Sequence, residues 1–234
     1  MKDQFAIASD GTQIHYLDNE GSDSAIPLII MPGMLGIAEH HQTEVAGLAP
    51  RRVIALSNRG LGKSGKVSPG MCSFEQRASD INAVVNALGL KEYVLYGFSR
   101  GVPLVVQHAL QNPKAVKALV LHDCEPIYIR PSEKWRDHFS GLQKPHFSKE
   151  TIEAYWADAA NVDLTENLAA LHLPVLLIRG ALEGSLLPLE KAQALLSKLN
   201  QGQIQALENS SHEVSAEDRT NYLDLMRTFC NGLE

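Results

Sequence analysis

The sequence predicts an α/β fold, in which a mostly parallel central sheet carries helices on both faces. Short, nearly continuous apolar runs recur along the chain, at residues 27–31, 52–56, 93–96, 118–121 and 175–178. Strands that are buried on both faces of a parallel sheet need such runs, whereas half-exposed strands alternate apolar and polar residues. Segments of helical periodicity lie between the runs, and this alternation predicts crossovers that place helices on both sheet faces.

The first elements along the chain predict a β-hairpin that joins the parallel sheet. Residues 5–8 and 14–17 have strand-like composition, and Asp10-Gly11 between them is a turn sequence. The clearest helix begins after Ser73, which is spaced from Gln76 as in a capping box. Its apolar positions follow one helical face, and Gly89 is placed to end it.

The chain length and the aromatic residues predict one core domain with an insertion. A chain of 234 residues fits a single α/β domain with a modest insertion. Residues 125–171 place aromatic side chains among polar ones between two strand patterns, so they predict an inserted helical cap on a core of residues 1–124 and 172–234. Four of these aromatic residues are candidates for the walls of an apolar substrate pocket, although helical spacing also suits packing: Trp135, Phe139, Tyr155 and Trp156.

The net charge and the cysteine content indicate which binding partners and which cellular compartment to expect for the protein. The formal net charge of −6 disfavours contact with phosphate backbones, so nucleic acid is not expected as a partner. No apolar run approaches the roughly 18 residues of a membrane span. The three cysteines form no CxxC pair and leave one unpaired in any disulfide scheme, which favours a reducing compartment and predicts a cytoplasmic protein.

A candidate nucleophile stands between a strand pattern and a helix pattern. The sequence Gly97-Phe98-Ser99-Arg100-Gly101 follows the strand that ends near Tyr96. A serine on a sharp strand-to-helix turn needs small residues two positions before and after it, because side chains there would meet the neighbouring elements. The following helix would direct backbone N–H groups and its dipole at an oxyanion.

With these residues in place, the chain resembles the α/β-hydrolase family over nearly its whole length. Residues 31–36, Met-Pro-Gly-Met-Leu-Gly, follow the first parallel strand, where relatives often carry His-Gly instead of Pro32-Gly33. The resemblance implies oxyanion donors at the backbone N–H groups of Met34 and Arg100, since Pro32 has no N–H. Residues 58–64 are similar to a family turn, which we interpret as scaffold.

The resemblance also implies a base and an acid. His212 lies after a strand-like segment and before the final helical run, where the family keeps its catalytic imidazole. A carboxylate must hold that imidazole. Glu183, three residues after Gly180, occupies the position where the family usually carries Asp, so it is the first candidate. Asp123, at the end of the preceding strand pattern, is the alternative, because some relatives place the acid there.

These residues predict a serine hydrolase that cleaves a small or medium carboxylic ester or lactone through an acyl-enzyme, with no cofactor. The same residues also serve hydrolysis of C–C bonds, amides and thioesters, and a hydrolase-like receptor of a small molecule is a further alternative. No metal site is predicted, because the adjacent His40 and His41 cannot share one helix face and no spaced carboxylate completes a ligand set.

Overall fold

The fold is taken from a computed structural model that describes residues 1–22, 24–142 and 144–233. The predicted core domain also includes residues 23 and 234, and the predicted cap includes residue 143, which lie outside the described residues. The strands are β1 Lys2–Ile7, β2 Gln13–Asp18, β3 Leu28–Met31, β4 Val53–Leu56, β5 Tyr93–Phe98, β6 Val116–His122, β7 Ile127–Tyr128, β8 Val162–Asp163, β9 Pro174–Gly180 and β10 Gln201–Leu207. The α-helices are α1 Gln42–Gly47, α2 Phe74–Leu88, α3 Val102–Gln111, α4 Glu133–Ser140, α5 Lys149–Ala157, α6 Leu189–Leu196 and α7 Arg219–Asn231.

Within the described residues, eight strands form one sheet in the order β1-β2-β4-β3-β5-β6-β9-β10. The hairpin β1–β2 is antiparallel and joins β4 in antiparallel pairing, and every pair from β4 to β10 is parallel. The sheet is therefore mostly parallel, as predicted, and the carboxyl ends of its parallel strands meet at one edge. Loops at that edge are where ligands of open α/β sheets bind.

The parallel strands are buried on both faces, which explains their continuous apolar runs. Alternate residues of the strands enter two separate cores. One core packs Ile29, Leu95 and Leu177 against α2, α3 and α6. The other packs Val94 and its neighbours against α1 and α7.

The predicted ends of the best-defined helix are confirmed. The Ser73 hydroxyl accepts from the N–H of Gln76, and the Gln76 side chain accepts from the N–H of Ser73, so the capping box is complete at the start of α2. Gly89 has a φ of 64°, in the left-handed region that ends a helix at low cost. Helix α2 thus runs from Phe74 to Leu88.

The segment between β6 and β9 contains helices, as predicted, together with a ribbon that the sequence did not indicate. Strands β7 and β8 pair antiparallel at its two ends. Helix α5 is packed against the rest of the molecule, since the Asp158 carboxylate accepts from the N–H groups of Gly70 and Cys72. Helix α4, in contrast, has no buried residue among those described. The division into a core and a cap of residues 125–171 remains a proposal.

Candidate active site

Ser99 stands on a sharp turn between β5 and α3. Its φ of 50° lies in the left-handed region, which a residue with a side chain enters at a cost of about 1–2 kcal/mol. A Cβ atom on Gly97 would lie 2.7 Å from a Val105 methyl carbon, and one on Gly101 would lie 2.7 Å from the carbonyl oxygen of Pro32. The turn therefore requires glycine at both positions, as the sequence predicts.

His212 lies in the loop between β10 and α7, and its imidazole faces the serine. Nε2 of His212 is 3.0 Å from Oγ of Ser99. The ring stacks on that of Phe98, with the centroids 4.8 Å apart and the planes at 27°. Phe98 belongs to the same turn as Ser99, so one short segment positions both side chains.

The carboxylate that contacts His212 is Asp123, and the first candidate, Glu183, is wrong. Oδ2 of Asp123 lies 2.8 Å from Nδ1 of His212. Asp123 directly follows β6, the strand beside β5, and its φ of 51° turns the chain sharply there. Glu183 is exposed in the loop after β9. The end of β6 and the loop after β10 bring Asp123 and His212 together, a contact that spacing from Gly180 could not reveal.

The loop that carries Glu183 instead positions Asp123. Oδ1 of Asp123 accepts from the N–H of Gly180 at 3.1 Å and from the Ser185 hydroxyl, and Oδ2 accepts from the N–H of Leu186 at 2.9 Å. Burial by itself raises the pKa of Asp123, but the hydrogen bonds from His212, Ser185, Leu186 and Gly180 outweigh it and hold the pKa below its usual value. Asp123 is thus an oriented carboxylate anion at neutral pH.

A cavity of about 620 Å³ opens beside Ser99 and His212. It is lined by Pro32, Gly33, Met34, Leu35, Gly36, His40, His41, Thr43, Glu44, Tyr96, Phe98, Ser99, His122, Trp135, Phe139, His212, Glu213, Val214, Arg219 and Tyr222. The structure brings the predicted pocket residues Trp135 and Phe139 of α4 to this cavity, with their ring centroids 4.9 Å apart. The volume is that of a site for a small ligand.

The prediction that Tyr155 and Trp156 line the pocket is wrong, because both lie outside the set of described residues that form the cavity wall. Tyr155 belongs to α5 and is fully buried, and its hydroxyl donates to the carbonyl oxygen of Arg59. The guanidinium groups of Arg130 and Arg136 both lie over the Trp156 ring, 4.8 and 4.4 Å from its centroid. Both rings serve packing, which helical spacing also permits.

The loop after β3 lies against the serine turn. Met34, a predicted oxyanion donor, lines the cavity together with Ser99, and Arg100 follows Ser99 in a short 3₁₀ helix. The Asn58 amide donates to the carbonyl oxygens of Gly33 and Gly36, at 2.7 and 3.1 Å. This contact supports the interpretation of residues 58–64 as scaffold, since their first residue holds the loop in place.

The cavity lining also contains buried polar residues that the sequence did not identify as a group. They come from five separate elements, and each is less than 9% exposed: His41, Glu44, Tyr96, His122 and Tyr222. Burial lowers the pKa of His122 to about 4, so its imidazole is neutral at pH 7, and its Nδ1 lies 2.6 Å from the Tyr96 hydroxyl. The sequence signal for this group was the pair His40-His41, which follows the loop after β3.

In the described part of the chain, one group of side chains has the types and spacing of metal ligands, namely Asp3, His15 and Glu39. Lys63 forms ion pairs with both carboxylates of this group. The lysine ammonium therefore already supplies a positive charge to this group.

The chain belongs to the α/β-hydrolase family, because the family profile described as alpha/beta hydrolase fold matches residues 26–142, half of the chain. It is 28% identical over 134 residues to an sn-1-specific diacylglycerol lipase of Xenopus laevis, which covers 56% of this chain and 42% of that protein. It is 27% identical over 150 residues to a proline iminopeptidase of Neisseria gonorrhoeae, which covers 57% and 44%. The matches thus span less than half of each curated relative.

Solved structures share the whole fold. The esterase RhEst1 of Rhodococcus sp. ECU1013 superposes with a TM-score of 0.80 at 22% identity, covering 100% of both chains. A thermophilic esterase of Thermogutta terrifontis superposes with a TM-score of 0.83 at 19% identity, covering 100% of this chain and 99% of the other. At sequence identities of 22% and 19%, the structural similarity shows that the fold is shared. None of the helices among the described residues is both long and apolar enough to cross a membrane.

Proposed function

We propose that this α/β-hydrolase is a serine hydrolase that cleaves small or medium carboxylic esters or lactones through an acyl-enzyme. The observation that carries the proposal is the chain of contacts from Ser99 Oγ to His212 Nε2 at 3.0 Å and from His212 Nδ1 to Asp123 Oδ2 at 2.8 Å. A nucleophile, a base in hydrogen-bond reach and a carboxylate that orients the base are the parts that acyl transfer requires.

In the proposed reaction, His212 Nε2 accepts the proton of Ser99 as Oγ attacks the carbonyl carbon of the ester. The backbone N–H groups of Met34 and Arg100 stabilise the oxyanion of the tetrahedral intermediate. Asp123 stabilises the imidazolium and keeps the proton on Nδ1 in the neutral ring. His212 then protonates the leaving alcohol, and water, activated by the same imidazole, releases the acid and restores Ser99.

The substrate class rests on the cavity and on the relatives together. A cavity of about 620 Å³ with Trp135 and Phe139 on one side accommodates a small or medium acyl group and leaves little room for long chains. Several structural neighbours are named as esterases, and one, at a TM-score of 0.78 and 19% identity, as an N-acyl homoserine lactone degrading enzyme. Ester and lactone carbonyls are therefore the first substrates to test. A reducing, cytoplasmic location stays a prediction; the three cysteines, Cys72, Cys124 and Cys230, are all buried.

The test compares the wild-type protein with Ser99→Ala on para-nitrophenyl acetate and butyrate, on lactones and on amides. We expect steady turnover of esters or lactones by the wild type and a fall in kcat of about 10⁴-fold or more in Ser99→Ala, because only oxyanion and binding effects remain. A fluorophosphonate probe should label the wild type and leave Ser99→Ala unlabelled. Near-normal turnover by a folded Ser99→Ala protein contradicts the mechanism. A single stoichiometric burst without turnover favours the receptor alternative.

A further inference from the structure

The loop after β3 carries a proposed oxyanion donor, the N–H of Met34, and its backbone lies close to the nucleophile. A Cβ atom on Gly33 would be 3.3 Å from Cβ of Ser99. The N–H of Gly36 donates to the carbonyl oxygen of Gly33 at 2.9 Å, which closes a β-turn with Met34 and Leu35 at its centre. Among the described residues, no acceptor pairs with the N–H of Met34, so this group is free to bind a ligand.

The peptide group that joins Gly33 to Met34 is held through its carbonyl oxygen. A peptide group is planar and trans, so the direction of its C=O fixes the direction of its N–H, which points the opposite way. The Gly33 oxygen accepts from Nδ2 of Asn58 at 2.7 Å and from the N–H of Gly36 at 2.9 Å. These two donors use both lone pairs of the oxygen. They therefore fix the direction in which the Met34 N–H points.

The Asn58 amide donates to the loop in only one of its two orientations. Nδ2 of Asn58 also donates to the carbonyl oxygen of Gly36, at 3.1 Å, so both of its hydrogens are used. Oδ1 of Asn58 accepts from Nη2 of Arg77 at 3.2 Å. A flipped amide would place Oδ1 against two carbonyl oxygens and Nδ2 against a guanidinium, and both contacts would repel. Arg77 therefore selects the orientation in which Asn58 donates to the loop.

Arg77 is a buried cation whose place needs an explanation. It lies in α2 and is 0% exposed, and its Nη1 donates to the Tyr128 hydroxyl at 2.7 Å. Its Nε has no hydrogen-bond partner within the described residues. Burial of a guanidinium whose hydrogen bonds go to neutral groups costs free energy that an apolar side chain would not. A role in setting the Asn58 amide accounts for a cation at this position.

We propose that Asn58 and Arg77 are positioning residues of this hydrolase: Asn58 directs the Met34 N–H at the oxyanion, and Arg77 sets the Asn58 amide for that contact. This inference rests on the proposed ester hydrolysis at Ser99. Neither Asn58 nor Arg77 is among the described residues that line the cavity. Loss of either contact should therefore weaken binding of the oxyanion and leave binding of the uncharged substrate nearly unchanged.

The test measures affinity for an oxyanion separately from affinity for a neutral ketone. In 1,1,1-trifluorohexan-2-one the fluorines activate the carbonyl carbon for attack by Oγ of Ser99. The proton of Ser99 then passes to His212, and the carbonyl oxygen becomes an oxyanion like that of the tetrahedral intermediate. Hexan-2-one has the same chain without the fluorines and reports binding of the neutral carbonyl. Both ketones are assayed as inhibitors of para-nitrophenyl butyrate hydrolysis.

Two substitutions remove the donor to Gly33. In Asn58→Leu and Asn58→Asp, kcat/KM should fall by about 10- to 100-fold, because loss of a whole oxyanion donor costs about 10²–10³ and misdirection costs part of that. The inhibition constant of the trifluoro ketone should rise by a similar factor, whereas that of hexan-2-one should change by about twofold or less. Asn58→Asp keeps the side-chain size and can pair with Arg77, so it serves as the test if Asn58→Leu fails to fold.

The role of Arg77 is tested through a double substitution. Arg77→Met should lower kcat/KM by about 3- to 10-fold in the wild type and have little further effect in Asn58→Leu, because it acts through Asn58. Arg77→Lys, which keeps the charge, replaces it if Arg77→Met fails to fold. Ser64→Ala is the matched control in the same turn, since its Oγ contacts the backbone of Ser57 and His15 only, at 3.2 and 3.0 Å. It should keep the wild-type kcat/KM and both inhibition constants.

A kcat/KM within about twofold of the wild type in folded Asn58→Leu or Asn58→Asp would overturn the inference and leave the proposed ester hydrolysis intact. An equal loss of affinity for both ketones would also overturn it, because the shape of the cavity would then have changed. An undiminished effect of Arg77→Met in Asn58→Leu would overturn the role of Arg77. If the wild type neither hydrolyses the ester nor prefers the trifluoro ketone, the proposed function itself fails and the inference fails with it.

Discussion

Ser99 and Asp123 both have a φ near +50°, although neither is glycine. Residues held in this region cost about 1–3 kcal/mol and persist only where the surroundings enforce them. The turn between β5 and α3 holds Ser99 at its positive φ. Hydrogen bonds from the N–H groups of Gly180 and Leu186 hold Asp123 at its positive φ. Ser99 and Asp123 lie at the ends of adjacent strands and are joined through His212, which supports the proposed catalytic role of these residues.

At the scale of single residues, the most specific prediction concerns which carboxylate acts as the acid of the proposed triad. Asp123→Asn removes the charge that stabilises the His212 imidazolium and permits the wrong tautomer, so kcat should fall by about 10³ to 10⁴-fold. Asn tolerates a positive φ, so the variant should fold. Glu183→Gln, in the exposed loop, is the control and should stay within about twofold, as for most surface substitutions. The reverse ranking in steady-state kinetics would contradict the acid proposed here.

At the scale of elements, the strand-turn-helix unit around Ser99 depends on close backbone approach. In Gly97→Val, the new Cβ atom would lie 2.7 Å from a methyl carbon of Val105. The substitution should abolish activity and lower the midpoint of thermal unfolding, because β5 and α3 cannot separate without loss of packing. Gly141→Val, after α4, meets its nearest atoms only at 3.4 Å and should fold normally. A fully active Gly97→Val protein would show that the turn has room that these distances exclude.

A substitution in helix α5 tests whether Tyr155 serves packing or substrate binding. Tyr155→Phe removes the donor to the Arg59 carbonyl and leaves that oxygen buried, so the free energy of unfolding should fall by about 1–2 kcal/mol. The KM for esters should change little, since Tyr155 is not among the described residues that line the cavity. Urea unfolding and steady-state kinetics measure the two effects. An unchanged free energy of unfolding together with a raised KM would indicate that Tyr155 contributes to substrate binding.

At the scale of the whole molecule, Arg59 ties the N-terminal hairpin to α2. Its guanidinium is 1% exposed and pairs with Asp10 after β1, at 2.7 Å, and with Asp80 of α2. Burial opposes ionisation of Asp10, but hydrogen bonds from Thr12 and Arg59 outweigh it and lower the pKa to about 2. One buried cation thus links segments that are distant in sequence.

This pairing predicts a specific acid response. Because the pKa of Asp10 is depressed in the folded state, its stabilising effect is present above about pH 4 and is lost as the pH falls toward 2. Asp10→Asn should therefore unfold at lower temperature than the wild type at pH 7, and the difference should shrink between pH 4 and pH 2. Asp137→Asn, at an exposed ion pair, should track the wild type throughout. A difference that stays constant with pH would exclude the charge as its cause.

The sequence by itself determined the parallel sheet, the N-terminal hairpin, the limits of α2 and the glycines around Ser99, because each depends on local periodicity, capping or space within a few residues. Only the tertiary structure decided that Asp123 contacts His212, that Tyr155 is buried in packing, and that His41, Glu44 and Tyr222 border the same cavity. These relations join residues up to 181 positions apart, from His41 to Tyr222. These relations depend on which strand ends and helices pack together in the fold. Local sequence patterns do not predict that packing.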